Sequence, residues 1–423
     1  MSDDEIFEPS KSRLAENGIL PDRMGWQETN ISDQIDAIIL GMHARKDNPE
    51  LLRAQELGLK IYSYPEFIFE QSKDKTRIVI GGSHGKTTIT SMILHVMDQL
   101  KIETDFLVGA LLEGFDCMVQ LSDAKYIILE GDEYLSSPLD LRPKFHWYAP
   151  HIALLTGVAW DHINVFPTFD NYVEQFKIFA DKIEPNGKLV FFAEDMELEK
   201  IAMQTRTDIT EILYNIPTFK IKNGKTIIID SNKEYPLHVF GEHNLQNILG
   251  AKLVLNEIGV SDHEFYNAIT SFNGAAKRLE TIAENKSTII YKDFAHSPSK
   301  LKATTRAVKE QFPERQLIAC MELHTFSSLQ KEFLPQYENC MVNADKAYVY
   351  FSPKVVEHKN LPPISAQLVK EAFASDNVTV FIDSNDLISQ IESDNLENSN
   401  LLLMSSGNFN GVNLNQFAQQ LIK

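Results

Sequence analysis

The chain has 423 residues, of which 40 are Lys or Arg and 59 are Asp or Glu, so its net charge is −19. This length predicts two or three domains, and the acidic balance argues against a nucleic-acid partner, which would need a basic surface. The three cysteines are too far apart for a disulfide framework or a paired metal site. The start is acidic, and no apolar run reaches membrane-spanning length. We therefore expect a soluble, cytoplasmic enzyme without a membrane partner, whose oligomeric state stays open.

The first 72 residues alternate short apolar strands with helical patterns. A strand at 36–42 is followed by a helix that Asn48 caps and Pro49 begins, and a second strand follows at 59–62. Strand, helix and strand at this spacing predict a parallel βαβ unit. The polar segment 71–75 indicates the first domain boundary, which we place after residue 72.

A glycine-rich loop follows the next strand, at 76–80, and leads into a helix with one apolar face from 89 to 100. Glycines let backbone N–H groups approach phosphates, and a helix N-terminus carries partial positive charge. In this setting Lys86 is predicted to reach the β- and γ-phosphates of a nucleotide, and the Thr87 hydroxyl to ligate Mg²⁺. The usual P-loop spacing would place glycine at Ile80, so this loop departs from it by one residue. The predicted phosphate cradle comprises Gly82, Ser83, His84, Gly85, Lys86, Thr87 and Thr88.

Two later strands also end in polar residues. The strand at 126–129 runs into Glu130, with Asp132 and Glu133 close behind, and the strand at 152–158 leads to Asp161-His162. A carboxylate after a buried strand, beside a phosphate loop, is where a Mg²⁺ ligand is expected. Glu130 is the first candidate, and a solvated acidic turn is the alternative. The residues alone favour a turn for Asp161-His162 and a surface position for Lys177 on the helix 171–182.

The remainder of the chain continues the α/β pattern. Asn223-Gly224 predicts a hairpin turn, and a helix follows at 241–258. We place the second boundary after residue 284. From 288 onwards strands and helices alternate again, with strands near 288–291, 316–320, 346–351, 378–382 and 400–404. The chain is thus predicted to contain three consecutive α/β units.

Six motifs in this order resemble those of the Mur ligases, three-domain, ATP-dependent amide ligases of bacterial cell-wall synthesis. They are Gly-Ser-His-Gly-Lys-Thr-Thr, Glu-Gly-Asp-Glu, Trp-Asp-His, Gly-Glu-His-Asn-Leu-Gln-Asn, Phe-Asn-Gly-Ala-Ala-Lys-Arg-Leu-Glu and Asp-Phe-Ala-His-Ser-Pro. The resemblance implies an α/β fold with an N-terminal Rossmann-like domain at 1–72, a central P-loop ATPase domain at 73–284 and a C-terminal Rossmann-like domain at 285–423. Residues 2–10 resemble the segment that follows the family's first strand–helix unit, so we expect the first domain to lack that unit.

The resemblance also implies roles for individual residues, with ATP and Mg²⁺ as cofactors. Lys86, Glu130, His162 and Arg278 would form the catalytic set, with Arg278 meeting the γ-phosphate. Thr87, Glu130 and His162 would hold the metal. His243, Asn244 and Asn247 would contact the nucleotide, and Asp293 and His296 belong to a loop that closes over it. Lys177 lies where several members carry a carbamylated lysine, which the alanine-adding and tripeptide-adding members generally lack.

Within the family, two amino substrates are considered for addition to UDP-N-acetylmuramate: L-alanine, and the recycled murein tripeptide L-alanyl-γ-D-glutamyl-meso-diaminopimelate. The segments 130–134, 322–328 and 405–411 resemble more closely the tripeptide-adding members. Alanine-adding members have a Pro-His-x-x-x-(Thr/Ser)-Arg type of segment where this chain has 323–328. Candidate substrate contacts are His43, Asn48, His324, Ser406 and Asn408.

The reaction implied is amide formation through an acyl phosphate. A folylpolyglutamate-type ligase and a non-catalytic nucleotide sensor are the alternative functions. Whether the third residue of the peptide is diaminopimelate or lysine stays open.

Overall fold

The structure, a computed structural model, describes residues 2–7, 10–109, 115–160, 165–276 and 278–423. The chain divides into two units, the first made of residues 1–74 with 132–149 and the second of 75–131 with 150–423. The segment 132–149 thus belongs with the N-terminal residues, whereas the sequence predicted that it would lie in the central domain. No helix in the described ranges is long and apolar enough to cross a membrane.

The first unit contains the predicted βαβ pattern. Its strands β1 (Ala37–Leu40) and β2 (Lys60–Ser63) pair in parallel. Its helices are α1 (Ser10–Glu16), α2 (Pro49–Glu56) and α3 (Tyr64–Glu70). As predicted, Asn48 caps α2: its side-chain oxygen accepts hydrogen bonds from the backbone N–H groups of Glu50 and Leu51.

The second unit contains a seven-stranded sheet that carries the glycine-rich loop. Its strands are β3 (Thr76–Gly81), β4 (Thr104–Leu107), β5 (Val119–Gln120), β6 (Tyr126–Glu130), β7 (Ile152–Leu155), β8 (Lys188–Phe192) and β9 (Thr210–Tyr214). They lie in the order β5-β4-β6-β3-β7-β8-β9, and every pair is parallel except β4 with β5. The carboxyl ends of β6, β3 and β7 therefore lie side by side, which is where parallel sheets bind ligands.

Five helices belong to this part of the second unit, between β3 and residue 280 in the chain. They are α4 (Lys86–Gln99), α5 (Phe169–Asp181), α6 (Met196–Ala202), α7 (Glu242–Asn256) and α8 (Asp262–Ile269). The apolar face predicted for α4 is buried: Met92, Ile93 and Val96 pack with Leu245 and Ile248 of α7 in one core. This packing fixes the first turns of α4 and α7 near the carboxyl edge of the sheet.

A small antiparallel sheet lies between β9 and α7 in the chain. Its strands are β10 (Phe219–Lys222), β11 (Lys225–Asp230) and β12 (Lys233–Pro236). Asn223 and Gly224 connect β10 and β11 with positive φ angles of 53° and 70°, the conformation that this dipeptide favours in a tight hairpin. The predicted hairpin is confirmed.

A six-stranded sheet completes the second unit. Its strands are β13 (Glu280–Glu284), β14 (Thr288–Asp293), β15 (Gln316–Glu322), β16 (Lys346–Tyr350), β17 (Val378–Phe381) and β18 (Ser399–Met404). They lie in the order β13-β14-β18-β15-β16-β17, with β13 antiparallel to β14 and the others parallel. The five strands predicted from 288 onwards are present. The boundary drawn after residue 284 falls between the paired strands β13 and β14.

The helices of this last region are α9 (Pro298–Gln311), α10 (Pro353–His358), α11 (Ala366–Phe373), α12 (Ser384–Ser393) and α13 (Leu414–Leu421). Helix α9 follows β14 directly, so its N-terminus begins at the carboxyl edge of the six-stranded sheet. Buried side chains of α9, including Leu301 and Val308, pack with Leu317 and Leu402 of this sheet.

Candidate functional site

The glycine-rich loop turns through two positions that only glycine fits. Gly82 has a φ of +124° and Gly85 a φ of +80°, where side chains are strained. A Cβ atom on Gly82 would lie 2.0 Å from Oγ1 of Thr156, and one on Gly85 would lie 2.4 Å from Oδ1 of Asn247. The loop therefore packs directly against the end of β7 and the second turn of α7, despite the one-residue departure from the usual spacing.

Hydrogen bonds fix the loop to the end of β7. The Ser83 hydroxyl accepts a bond from the Ala159 N–H at 2.8 Å and lies 2.9 Å from the Tyr172 hydroxyl. The Thr156 hydroxyl donates to the His84 carbonyl. Thr156 and Tyr172 were not predicted from the sequence; the position of Thr156 just after a buried strand was the available signal. The loop is thus rigidly supported, and its last residues open α4 at Lys86.

The charged and metal-binding candidates of the loop lie close to one another. The Lys86 ammonium donates to the Gly82 carbonyl at 2.6 Å, so it lies over the loop. The Thr87 hydroxyl donates to Oε1 of Glu130 at 2.8 Å, and the other Glu130 oxygen accepts from the Gly109 N–H at 2.8 Å. A hydroxyl and a carboxylate at adjacent strand ends are oxygen donors that suit Mg²⁺.

Of the remaining metal candidates, Asp132 and Glu133 belong to the other unit. His162, together with Asp161, lies outside the described residues. Asp132 belongs to the first unit, where its carboxylate pairs with the Lys144 ammonium at 2.6 Å. Glu133 also belongs to that unit and is buried. Across the part of the chain that the structure describes, no group of three His, Cys, Asp or Glu side chains forms a metal cluster.

The first turns of α7 carry the three residues that the sequence predicted to contact the nucleotide, His243, Asn244 and Asn247. Asn247 is buried against Gly85, and the buried Asn244 amide donates to the Phe240 carbonyl at 2.8 Å. Burial, reinforced by the positive charge of Arg306, lowers the pKa of His243 to about 4. His243 is therefore uncharged at neutral pH and can contribute hydrogen bonds but no positive charge.

The strand β14 and the segment before it bring in a cation and a carboxylate. The Arg278 guanidinium stacks 4.8 Å from the centre of the Phe294 ring. Burial lowers its pKa, whereas the negative charges of Asp293 and Glu130 raise it, and an arginine stays charged in this setting. Asp293 is buried, which raises its pKa, and it accepts hydrogen bonds from the Leu279 and Ala295 N–H groups at 2.7 and 2.6 Å.

A cavity of about 340 Å³ is lined by some of these groups, whereas Lys86, Thr87 and Glu130 are not among its lining residues. Its lining includes His84, Gly85 and Thr88 from the loop, His243, Asn244 and Asn247 from α7, Arg278, Asp293, and Ser299 and Lys300 from α9. This volume lies within the range of small-ligand pockets. His84 Nε2 and Ser299 Oγ lie 2.6 Å apart, so α9 contacts the phosphate loop directly. His296 does not line the cavity; its Nδ1 lies 2.7 Å from the Phe294 carbonyl.

A second constellation lies at the carboxyl ends of β15 and β18. The buried Glu322 carboxylate accepts hydrogen bonds from the Ser405 hydroxyl and, at 2.9 Å, from the Phe409 N–H. His324 Nδ1 lies 3.7 Å from its other oxygen. Burial by itself raises the pKa of Glu322, but the bonds from His324, Ser405 and Phe409 outweigh this and leave it below its ordinary value. Glu322 begins the segment 322–328, whose sequence resembles the tripeptide-adding members, but it was not predicted as a site residue.

The other substrate candidates are scattered. The Ser406 hydroxyl is buried and has no hydrogen-bond partner among the described residues, while Asn408 is exposed and accepts a bond from the Gly411 N–H. In the first unit, His43 is exposed in a turn and the Asn48 oxygen is occupied in capping α2. Lys177 is partly exposed on α5.

Comparisons with known proteins identify the family. Residues 80–255 match the model of the Mur ligase middle domain, and residues 277–407 match that of the Mur ligase, glutamate ligase domain. The UDP-N-acetylmuramate–L-alanine ligase of Caldicellulosiruptor bescii is 33% identical over 352 residues, which cover 79% of this chain and 74% of the relative. The chain therefore belongs to the Mur ligase family.

Solved structures agree on the fold. A murein peptide ligase from Psychrobacter arcticus has a TM-score of 0.63 at 21% identity and covers 99% of this chain and 92% of its own. The UDP-N-acetylmuramate–alanine ligase from Thermotoga maritima has a TM-score of 0.70 at 17% identity and covers 99% of this chain and 91% of its own. Members of this family are ATP-dependent ligases that form amide bonds, so the predicted fold class and enzyme class are confirmed.

Proposed function

We propose that this ligase joins the murein tripeptide L-alanyl-γ-D-glutamyl-meso-diaminopimelate to the carboxylate of UDP-N-acetylmuramate and converts ATP to ADP and phosphate. The observation that carries the nucleotide part is the glycine-rich loop with Lys86 and the Thr87–Glu130 pair, next to a cavity that the loop lines together with Arg278 and Asp293. Two cations and a glycine-rich helix N-terminus are what a triphosphate requires.

In the first step, an oxygen of the muramate carboxylate attacks the γ-phosphorus of ATP, the bond from phosphorus to the ADP oxygen breaks, and an acyl phosphate forms. This step brings two anions together, so positive charge in a desolvated site lowers its barrier. Lys86 and Arg278 supply that charge. Thr87 and Glu130 would hold Mg²⁺, which when bound neutralises phosphate charge.

In the second step, the free amine of the peptide attacks the acyl carbon, phosphate leaves, and the amine loses a proton. Water competes with the amine, so the site must be covered while the acyl phosphate exists. The contact between Ser299 on α9 and His84 on the phosphate loop supports such a cover. Neutral His243 adds no charge that would hold released phosphate in place.

The choice of the tripeptide rests on the region around Glu322. Residues 323–329 contain no arginine, and Ser328 and Leu329 are completely buried, so this segment offers no guanidinium for the carboxylate of a free amino acid. The low pKa of Glu322 keeps it ionised, and with His324 it gives a partly negative site. An anionic site suits a substrate with a second amine. Diaminopimelate has one, whereas the only amine of L-alanine is the nucleophile.

Addition of L-alanine to the same nucleotide sugar is the second candidate. It is supported by the relative from Caldicellulosiruptor bescii, which is named for that reaction.

The test is ADP release by the full chain with ATP, Mg²⁺ and UDP-N-acetylmuramate, in parallel reactions with tripeptide, its lysine analogue, L-alanine or no amine, with the amide product identified by mass. We expect kcat/KM for the tripeptide to exceed that for L-alanine by at least about 100-fold. A Lys86→Ala variant, folded but without turnover, is the control for contaminating ATPases. A preference for L-alanine would replace the tripeptide proposal, and nucleotide binding without any product would indicate a sensor.

A further inference from the structure

Helix α9 contacts the nucleotide-binding part of the second unit at three places along its length: at its start, in its middle and at its end. At its start, Ser299 Oγ lies 2.6 Å from His84 of the phosphate loop. In its middle, Arg306 forms an ion pair with Glu242 at the start of α7. Beside this ion pair, a Cβ atom on Gly241, the residue before α7, would lie 2.6 Å from the Cβ atom of Ala307 on α9. The backbone at Gly241 therefore lies closer to α9 than a residue with a side chain would permit.

The third contact, at the end of α9, is a two-way hydrogen bond of Gln311. Its amide nitrogen donates to the Gly224 carbonyl at 2.7 Å, and its amide oxygen accepts from the Thr226 hydroxyl at 2.9 Å. Gln311 is 4% exposed and Thr226 1% exposed, so both bonds are shielded from water. Both partners belong to the β10–β11 hairpin. We name this contact the Gln311 clamp.

The neighbouring residue strengthens the same contact. The Phe312 ring approaches Gly224 so closely that a Cβ atom there would lie 3.3 Å from it, and its centre lies 6.0 Å from that of Phe240. A cavity of about 660 Å³ lies beside the clamp and is lined by Gln311 and Thr226. Asn244 and Arg278 line both this cavity and the nucleotide cavity. The clamp therefore borders a cavity that shares two lining residues with the nucleotide cavity.

We propose that Gln311 is a positioning residue whose clamp on the β10–β11 hairpin holds α9 over the nucleotide cavity and so keeps water from the acyl phosphate. A helix of 14 residues is a rigid rod of about 20 Å, so an anchor at its end controls the position of Ser299 and Lys300 at its start. The inference rests on the proposed acyl-phosphate reaction.

Loosening the clamp has a defined chemical consequence. Water attacks the acyl phosphate in place of the amine, the bond between the acyl carbon and the phosphate oxygen breaks, and the muramate carboxylate, phosphate and a proton are released. ATP is then consumed without amide formation. The ratio of ADP released to amide formed reports this leak, and a residue with a merely structural role would not change that ratio.

The experiment compares this ratio in the full chain and in four variants with the amino substrate that the wild type accepts. Gln311→Leu removes both polar atoms at similar volume, and Thr226→Val removes only the hydroxyl. Thr305→Val is the matched control, because the buried Thr305 hydroxyl on the same helix donates to Leu301 and does not contact the hairpin. We expect the ratio to rise about fivefold in Gln311→Leu, less in Thr226→Val, and not at all in Thr305→Val. The fourth variant, combining Gln311→Leu with Thr226→Val, should not exceed Gln311→Leu alone.

A ratio near one in both clamp variants would overturn the proposal. If Gln311→Leu does not fold, the Thr226→Val ratio decides. Hydrogen exchange at residues 223–228 and 84–88 provides a readout that needs no amino substrate: both segments should exchange faster in Gln311→Leu than in Thr305→Val, and equal rates would also overturn the clamp. If the wild type forms no amide but residues 223–228 and 84–88 still exchange faster in Gln311→Leu than in Thr305→Val, the proposed function is refuted while the clamp is supported.

Discussion

Replacing Gly82 with alanine tests whether the phosphate loop depends on a side-chain-free backbone. The new Cβ would lie 2.0 Å from Oγ1 and 2.9 Å from the backbone nitrogen of Thr156. The second contact is with backbone, so rotation of the Thr156 side chain cannot relieve it. A positive φ costs an alanine about 1–2 kcal/mol, and displacing Thr156 also breaks its bond to the His84 carbonyl, worth about 1 kcal/mol. We expect the free energy of unfolding to fall by ~2–4 kcal/mol.

Gly259→Ala is the matched control for this variant. Gly259 also has a positive φ, +96°, but an alanine Cβ at this position would have no atom within 4 Å, so only the backbone cost of about 1–2 kcal/mol applies. Denaturant unfolding gives both free energies, and calorimetric titration with ADP gives the affinities. Gly82→Ala should also bind ADP at least about 100-fold more weakly, since a loop displaced by an ångström no longer fits the phosphates. If both variants lost equal stability and bound ADP like the wild type, the close packing of Gly82 on Thr156 would be refuted.

Three further predictions concern single side chains of the site. Thr87→Val should raise the Mg²⁺ concentration needed for half-maximal ADP binding by about tenfold, because the hydroxyl beside Glu130 is lost. His243 has a pKa of about 4 when folded against 6.5 for the free side chain, so the unfolded chain takes up the proton first and acid favours unfolding. Its contribution of ~3 kcal/mol is complete above pH 6.5 and lost towards pH 4, so His243→Asn should flatten the dependence of unfolding free energy on pH in that window. Glu322→Gln should raise the KM for the amino substrate by about tenfold with little change in the KM for ATP, since a charge-assisted contact is lost.

Each of these predictions has a contrary result. An unchanged Mg²⁺ titration in Thr87→Val would remove that hydroxyl from the metal site. Parallel pH curves for His243→Asn and the wild type would mean that His243 is not held neutral. For Glu322→Gln, a rise in both KM values, or a loss of stability alone, would assign the carboxylate to holding the loop 405–409 and not to the substrate.

Local chemistry determined the features that could be predicted from short stretches of sequence. The strand before Gly81, the apolar face of α4, the Asn48 cap and the Asn223-Gly224 turn were all predicted, because each depends on neighbouring residues and on backbone preferences. The order of motifs was sufficient for the family and the ATP-dependent chemistry. Thr87 and Glu130 were both predicted as Mg²⁺ ligands, and their side chains meet in the structure because β3 and β6 are adjacent parallel strands.

Contacts between segments that are distant in the chain could not be predicted from the sequence. Residues 132–149 belong with the N-terminal unit, although the chain between 75 and 131 separates them from it. Gln311 meets a hairpin 85 residues earlier, and Glu322 is held by a loop 83 residues later. Neither residue stands out in the sequence, because a buried amide or carboxylate becomes significant only through its partners, and the sheet order sets those partners.

The sequence by itself therefore determined the α/β architecture, the phosphate loop and the class of reaction. Their signals are local: glycine where φ is positive, apolar periodicity, and a polar residue at a strand end. Only the tertiary structure decided which side chains surround the cavity beside the glycine-rich loop, that His243 is neutral, and that Gln311 at the end of α9 contacts the β10–β11 hairpin. Burial, close packing and pKa depend on atoms brought together from distant parts of the chain, and no spacing within the sequence encodes them.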